Sequence, residues 1–234
     1  SQSSVGRAPP AAVELKQGEL QAGMAALRGT SAEVEIAGGG RVSAASREAV
    51  IKLLNGLTTL SVFDGSADVT SAGKRVLVPT NQGTRFSQGK PPEPPRPLPP
   101  APVWADQASS FLSLGGVEGA VLTAAWKPVP NAKFYRIEVA RDAQFEDVIV
   151  REQVAREVDS FAVKRLPSGR YHLRVRAIDA DDFLGVATEA RSVQLCDVQF
   201  EEGAGSVEGA IVTAHRYSKV RLCTAPQLEL SRDS

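Results

Sequence analysis

No stretch of this chain approaches the 18 or more consecutive apolar residues of a membrane-spanning helix, and no signal-peptide series of charged, apolar and small residues is present. No membrane span is therefore expected within it. If the protein is exported, its targeting segment has been removed or lies outside this sequence. An excess of one charge is also lacking, because 27 basic residues cancel 27 acidic ones. Binding to a phosphate backbone leaves a basic footprint, so nucleic acid is not expected as a partner. Histidine is scarce: His172 and His215 stand far apart, with no CxxC or HxxxH spacing around them, so neither a metal nor a cofactor is expected. Gly38–Gly40 lacks the Gly-Lys-Ser/Thr ending and the following helix of a phosphate-binding loop, and reads as a turn. No nucleophile–base pattern is present, and the chain is expected not to be an enzyme. Cysteine is limited to Cys196 and Cys223. In an oxidising compartment the two are a candidate disulfide; in a reducing one they read as small buried hydrophobes.

What the chain does have is apolar residues at 42%, enough for packed cores, and a length that suits two domains of about 100 residues. Twelve residues, 91–102 (PPEPPRPLPPAP), hold eight of the fifteen prolines. Proline fixes φ near −65° and donates no N–H, which keeps it out of helix interiors and central strands. The stretch predicts an extended polyproline II connector, roughly 35 Å long at about 3.1 Å per residue. The organisation expected is a frayed lead-in over 1–12, a β-module over 13–90, a proline-rich linker over 91–108, a β-sandwich over 109–196 and a β-segment over 197–234.

In the first module, Ala32–Ile36 alternates with Val34 and Ile36 on one face, and Gly38-Gly39-Gly40 turns the chain into the next strand. Asp64-Gly65 predicts a tight hairpin turn, with Leu60, Val62, Ala67 and Val69 sharing a face. Val76–Pro79 continues the meander. Ala45–Leu54 gives a weak helix signal, against which the β-branched Val50-Ile51 favours a strand. Arg28-Gly29-Thr30, the Val62–Val69 segment around Asp64-Gly65, and Val76–Gly83 follow the order of motifs in the later part of a FecR-type domain, which residues 13–102 resemble. Asn81-Gln82-Gly83 stands where such domains have a small-Gly-Gln-Gly turn. That resemblance implies a periplasmic or cell-surface location in bacteria and a role in protein–protein contact. The best-known members relay iron-uptake signals to a sigma factor, using a cytoplasmic segment and membrane span that this sequence does not show.

The second half resembles a fibronectin type III-like sandwich. Val121–Trp126, Phe134–Ala140, Asp147–Val154, Ser160–Leu166, Tyr171–Ile178 and Gly185–Leu195 read as strands B, C, C′, E, F and G. Tyr171–Ala177 alternates without exception, placing Tyr171, Leu173, Val175 and Ala177 inside and His172, Arg174 and Arg176 outside. Leu166–Tyr171 looks like the tyrosine corner of such domains. Asp181-Asp182 replaces the glycine usual after strand F. Val117–Ala124 (VEGAVLTA) recurs as Val207–Ala214 (VEGAIVTA), so residues 200–234 open a related module or form a terminal hairpin on the first.

The fold class expected is thus all-β, a FecR-like module and a fibronectin type III-like sandwich joined by a polyproline linker. The candidate protein-contact face is Arg136, Glu138, His172, Arg174 and Arg176 on the outer C–F surface. Asp179, Asp181 and Asp182 read as a surface loop rather than a calcium site. Trp126 is expected to be buried, and Trp104 lies alone, so no aromatic platform for carbohydrate is evident. The function expected is a non-enzymatic envelope scaffold or interaction module with an unidentified protein partner. The alternative is the periplasmic sensor region of a FecR-like regulator of a sigma factor.

Overall fold

The computed structural model describes residues 13–23, 32–106, 110–115, 119–208 and 211–223. Arg28-Gly29-Thr30 and the expected lead-in at 1–12 lie outside the described residues. Among the described residues every regular element is a strand. The chain divides into two compact units, one made of residues up to Pro100 together with Ile178–Val186, the other of Ala101–Ala177 and Ala187 onward.

The first unit contains β1 (Val13–Leu15), β2 (Gly18–Gly23), β3 (Ala32–Ile36), β4 (Gly40–Leu54), β5 (Leu57–Ser71), β6 (Lys74–Pro79), β7 (Gln82–Ser87) and β8 (Arg96–Pro97). They form one sheet in the order β1-β3-β4-β5-β7-β8, with β2 added to β4 and β6 to β5. All pairs are antiparallel except β1–β3, which is parallel. Ala45–Leu54 lies wholly within β4, as its β-branched residues favour.

The strands β4 and β5 are 15 residues each, and their middle overturns the hairpin expected at Asp64-Gly65. The register runs Ser46↔Gly65, Glu48↔Asp64, Ala49↔Val62, so Arg47 and Phe63 are left over as a β-bulge in a continuous strand pair. The chain reverses instead at Asn55-Gly56, whose φ angles of 51° and 74° suit a type I′ turn closed by Leu54 and Leu57. Because an extra residue shifts the pleat by one, Val42 and Ala44 before the bulge and Ile51 and Leu53 after it all enter one core, with Leu60, Val62, Ala67 and Val69 opposite. Val34, Ile36, Val78 and Phe86 complete it.

The proline-rich stretch joins no central strand, as its missing donors require, but its expected role as a free spacer is corrected. Arg96 and Pro97 pair with Gly83 and Gln82 as an edge strand, where a missing N–H costs least. The amides that remain are used: Glu93 N–H donates to the Arg85 carbonyl and Leu98 N–H to that of Asn81, both at 3.0 Å. Leu98 is buried. Residues 91–100 are therefore part of the first unit.

The second unit holds β9 (Val103–Trp104), β10 (Ser110–Gly115), β11 (Leu122–Lys127), β12 (Ala132–Ala140), β13 (Val148–Ala155), β14 (Ser160–Val163), most of β15 (Gly169–Asp179), the end of β16 (Leu184–Ala187), β17 (Arg191–Glu202), β18 (Gly205–Glu208), β19 (Ile211–Ala214) and β20 (Lys219–Leu222). One sheet has the order β14-β11-β9; the other runs β10-β17-β15-β12-β13. The four strands β17-β15-β12-β13 facing β14-β11-β9 make the arrangement of a fibronectin type III-like sandwich, and the larger sheet is extended to seven by β10, laid parallel to β17, and by β16 and β20 paired to β15 and β17. Trp126, Tyr135, Leu173, Val175 and Leu195 fill the space between the sheets, and Trp126 meets the Tyr135 ring edge-on at 5.4 Å between centroids. The Tyr171 hydroxyl donates to the Pro167 carbonyl at 2.8 Å, the closure of a tyrosine corner.

Strand β17 runs straight through the boundary expected after Cys196, and β20 pairs with its far end. The two copies of the eight-residue echo differ in surroundings. Leu122 and Ala124 of the first are core, whereas Ile211 of the second, in the β18–β19 hairpin, is 68% exposed.

Candidate functional site

The contact face expected on the outer side of β12 and β15 is not a surface. Arg136, Glu138, Arg174 and Arg176 are all buried, Glu138 at 3% exposure and Arg176 at 2%, and His172 is half-buried. The cover for part of it comes from the turn after β12. There the Asp142 carboxylate accepts the backbone N–H groups of Gln144, Glu146 and Asp147, which holds it below the usual carboxylate range. That wrapped turn sets Phe145 at φ 59° with its ring 4.1 Å from the Arg174 guanidinium. Beneath the ring, Glu138 accepts from Arg174 Nε at 2.6 Å and from Arg151 Nε at 2.9 Å. Burial pushes the Glu138 carboxyl up, but Arg174, Arg176 and Arg151 outweigh it and hold the group below its ordinary value. The strand alternation is right; what sequence periodicity does not reveal is that a loop returns over the polar face.

The aspartate loop is likewise structural. In the first unit Arg96 bridges Asp179 at 2.6 Å and Asp181 at 3.0 Å, and Arg85 meets Asp181 at 2.8 Å and Glu93 at 3.0 Å. Asp179 also accepts the N–H groups of Asp181 and Phe183. Among the described residues no cluster of His, Cys, Asp and Glu could hold a metal ion.

Cys196 and Cys223 are joined in a disulfide with Cα atoms 5.3 Å apart, inside the usual bridging range. The bond ties the β20 segment to β17.

The second unit has a cleft of about 650 Å³ between β10 and β11. Ala124, Phe161 and Val193 reach it from the core side, and Leu112, Leu114, Thr123 and Ser160 line the rest. It exists because the first strand of the sandwich is split. β9 pairs with β11 only at Trp126 and Lys127, then the chain crosses to β17 as β10. Both ends are fixed. At one, Trp104 donates Nε1–H to the Glu189 carbonyl and stacks on Arg191, which in turn holds Asp106 at 2.9 Å. At the other, Ser113 Oγ donates to the Val121 carbonyl at 2.7 Å. The sequence reading missed this site.

No family model matches the chain, and no curated protein matches it. Similar solved structures include a β-1,2-glucanase from Parabacteroides distasonis (TM-score 0.29, 18% identity, 55% of this chain and 17% of that one). The chicken CNTN1 FN1–FN3 domains align with a TM-score of 0.32 at 18% identity, over 66% of this chain and 50% of that one. The fibronectin(III)-like modules of Clostridium thermocellum CbhA give 0.32 at 14% identity, over 81% and 92%. The chain thus spans about a sixth of the glucanase and half of the CNTN1 fragment. Superpositions this loose carry no functional assignment.

Proposed function

We propose that this chain is a non-enzymatic scaffold or protein-interaction module of the bacterial cell envelope, presenting its two β-units for contact outside the reducing cytoplasm. The observation that carries the reading is the Cys196–Cys223 disulfide, because such bonds persist in oxidising compartments and are rare in the cytosol. The Glu138–Arg174–Arg151 contacts described above are made within the sandwich itself. Thiol trapping and cell fractionation of the protein as its own cell produces it, with whatever targeting segment its gene encodes, test the reading. The expected result is recovery in the envelope fraction with both cysteines blocked to alkylation until reduced. Recovery in the cytoplasmic fraction with both thiols free would overturn it.

A further inference from the structure

Residues 199–223 form strands without a core. None of the described residues among them is buried, whereas the part of β17 that leads into them carries Val193, Leu195, Cys196 and Val198 at no more than 3% exposure. The polar contacts of the segment close on themselves. Ser218 Oγ donates to the Ala204 carbonyl at 2.9 Å and accepts the Ala204 N–H at 3.1 Å, and the His215 N–H donates to the same carbonyl at 2.8 Å. The ion pairs Lys219–Glu202 and Arg221–Glu201 also fall inside the segment and are exposed, where such pairs contribute little. β20 pairs with residues 198–202 of β17, and the Cys196–Cys223 bond closes the loop across a separation of 27 residues. A segment with so little apolar burial does not offset the entropy of ordering itself. A covalent closure that removes loop entropy from the open state does.

The two sulfurs are unequal. Cys196 is 0% exposed in the middle of β17, while Cys223 is half-buried and follows the last residue of β20. Thiol–disulfide exchange requires a thiolate to reach one of the sulfurs, which closes Cys196 to attack and leaves Cys223. We propose that Cys196–Cys223 is a reducible latch, opened by thiolate attack at Cys223 Sγ, and that its opening releases residues 199–223 while the sandwich stays folded. The reagent class is a dithiol reductant, or a small monothiol acting twice. Its thiolate bonds to Cys223 Sγ, the bond between the two protein sulfurs breaks, and Cys196 leaves as a thiolate that takes up a proton. A second reagent thiolate then attacks the reagent sulfur of this mixed disulfide, and Cys223 leaves in turn and is protonated. The protein gains two electrons and two protons, and two reagent thiols become one disulfide. With the latch open, β20 keeps only its pairing with β17, and its departure bares the edge of residues 198–202. This inference extends beyond the proposed function, and its chemistry is measured on the purified oxidised chain whichever compartment supplied it.

The test uses the full chain with its disulfide intact. Reduced glutathione is added under native conditions, the reaction is stopped early with N-ethylmaleimide in denaturant, and peptide mass mapping locates the glutathione. Glutathione on Cys223 with maleimide on Cys196 is expected in excess over the reverse pattern. No excess, or no adduct natively while one forms in denaturant, overturns the assignment of the attacked sulfur. Amide hydrogen exchange is then compared before and after complete reduction by a phosphine. Residues 219–222 are expected to exchange at least about tenfold faster after reduction, with the core amide of Leu173 unchanged. Cys223→Ser, which cannot close the bond and leaves the buried Cys196 in place, is expected to match the reduced parent at both positions. Unchanged exchange over residues 219–222 in the reduced parent overturns the latch. Equal acceleration at Leu173 would make the bond a staple of the whole sandwich, and overturns it too. Should Cys223→Ser fail to fold, the reduced parent decides by the same two readings.

Discussion

Glu138 is held among arginines on β12, with Arg174 nearly as buried beside it and Arg151 reaching in from β13. Taking two charges out of water costs several kcal/mol per ion, recovered here because both carboxylate oxygens accept short bonds. Removing the carboxylate alone leaves the cations without it. Glu138→Ala is therefore expected to cost about 3–5 kcal/mol of second-unit stability, read as a shift in the urea midpoint. The sign of the pH dependence follows from the same contacts. The folded-state pKa is depressed, so the stabilisation is complete above the unfolded value of about 4.3 and is lost as pH falls through the lower folded one. The parent should lose stability below pH about 4 more steeply than Glu138→Gln; parallel curves would remove Glu138 from the acid response. Tyr171 offers a milder change on the neighbouring strand. Its hydroxyl bonds only the Pro167 carbonyl among the described contacts, so Tyr171→Phe should cost about 1 kcal/mol without altering the denaturant slope.

At the scale of elements, the sequence reading took Asp64-Gly65 as the turn and passed over Asn55-Gly56, whereas the chain turns at Asn55-Gly56 and uses Asp64-Gly65 as a bulge. A tight hairpin and a one-residue bulge both shift the pleat, so Leu60, Val62, Ala67 and Val69 share a face in either case. Burial pattern could not distinguish them; only the partner strand, Arg47-Glu48 sitting opposite, does. The two glycines consequently differ in what a side chain would meet. A Cβ at Gly65, with φ 94°, lies 2.6 Å from the Ala45 carbonyl oxygen and 2.9 Å from Ser46 Cα, whereas one at Gly56 meets nothing within 4 Å. Gly65→Ala should cost more than about 2 kcal/mol, from strain and clash together, and Gly56→Ala about 1 kcal/mol from backbone strain alone. Equal melting temperatures in the two variants would argue for the hairpin after all. Strands B to F of the sandwich were legible to within two or three residues because each has a local period, and the tyrosine corner because its motif is contiguous. Strand G was read as one element where the chain makes two, β16 and β17, with Thr188 bonding Val175 between them. The cleft was invisible for a related reason: it is made by a strand that leaves one sheet for the other, which no window of sequence records.

At the scale of the whole molecule, the first unit is discontinuous, its 1–100 stretch being completed by Ile178–Val186. The segment supplies more than charge. Phe183 is buried with the Arg96 guanidinium 4.3 Å over its ring, and Gly83 of β7 is so close that a Cβ there would lie 2.7 Å from it. The Val186 amide donates to the Pro99 carbonyl, so the prolines, which cannot donate, are used as acceptors. These contacts explain why a stretch that composition reads as a spacer is laid down as an edge: its arginine and its carbonyls have partners far along the chain. The charged pairs are partly exposed and contribute modestly, within about 1 kcal/mol each, whereas truncating a buried phenylalanine typically costs about 3–5 kcal/mol. Phe183→Ala should therefore destabilise the first unit by about 3 kcal/mol and speed amide exchange at Gly83 and Leu98, while Asp179→Asn/Asp181→Asn should fall short of half that loss. If instead the aspartate changes matched the phenylalanine change, the ion pairs rather than apolar burial would be what holds residues 91–100 down.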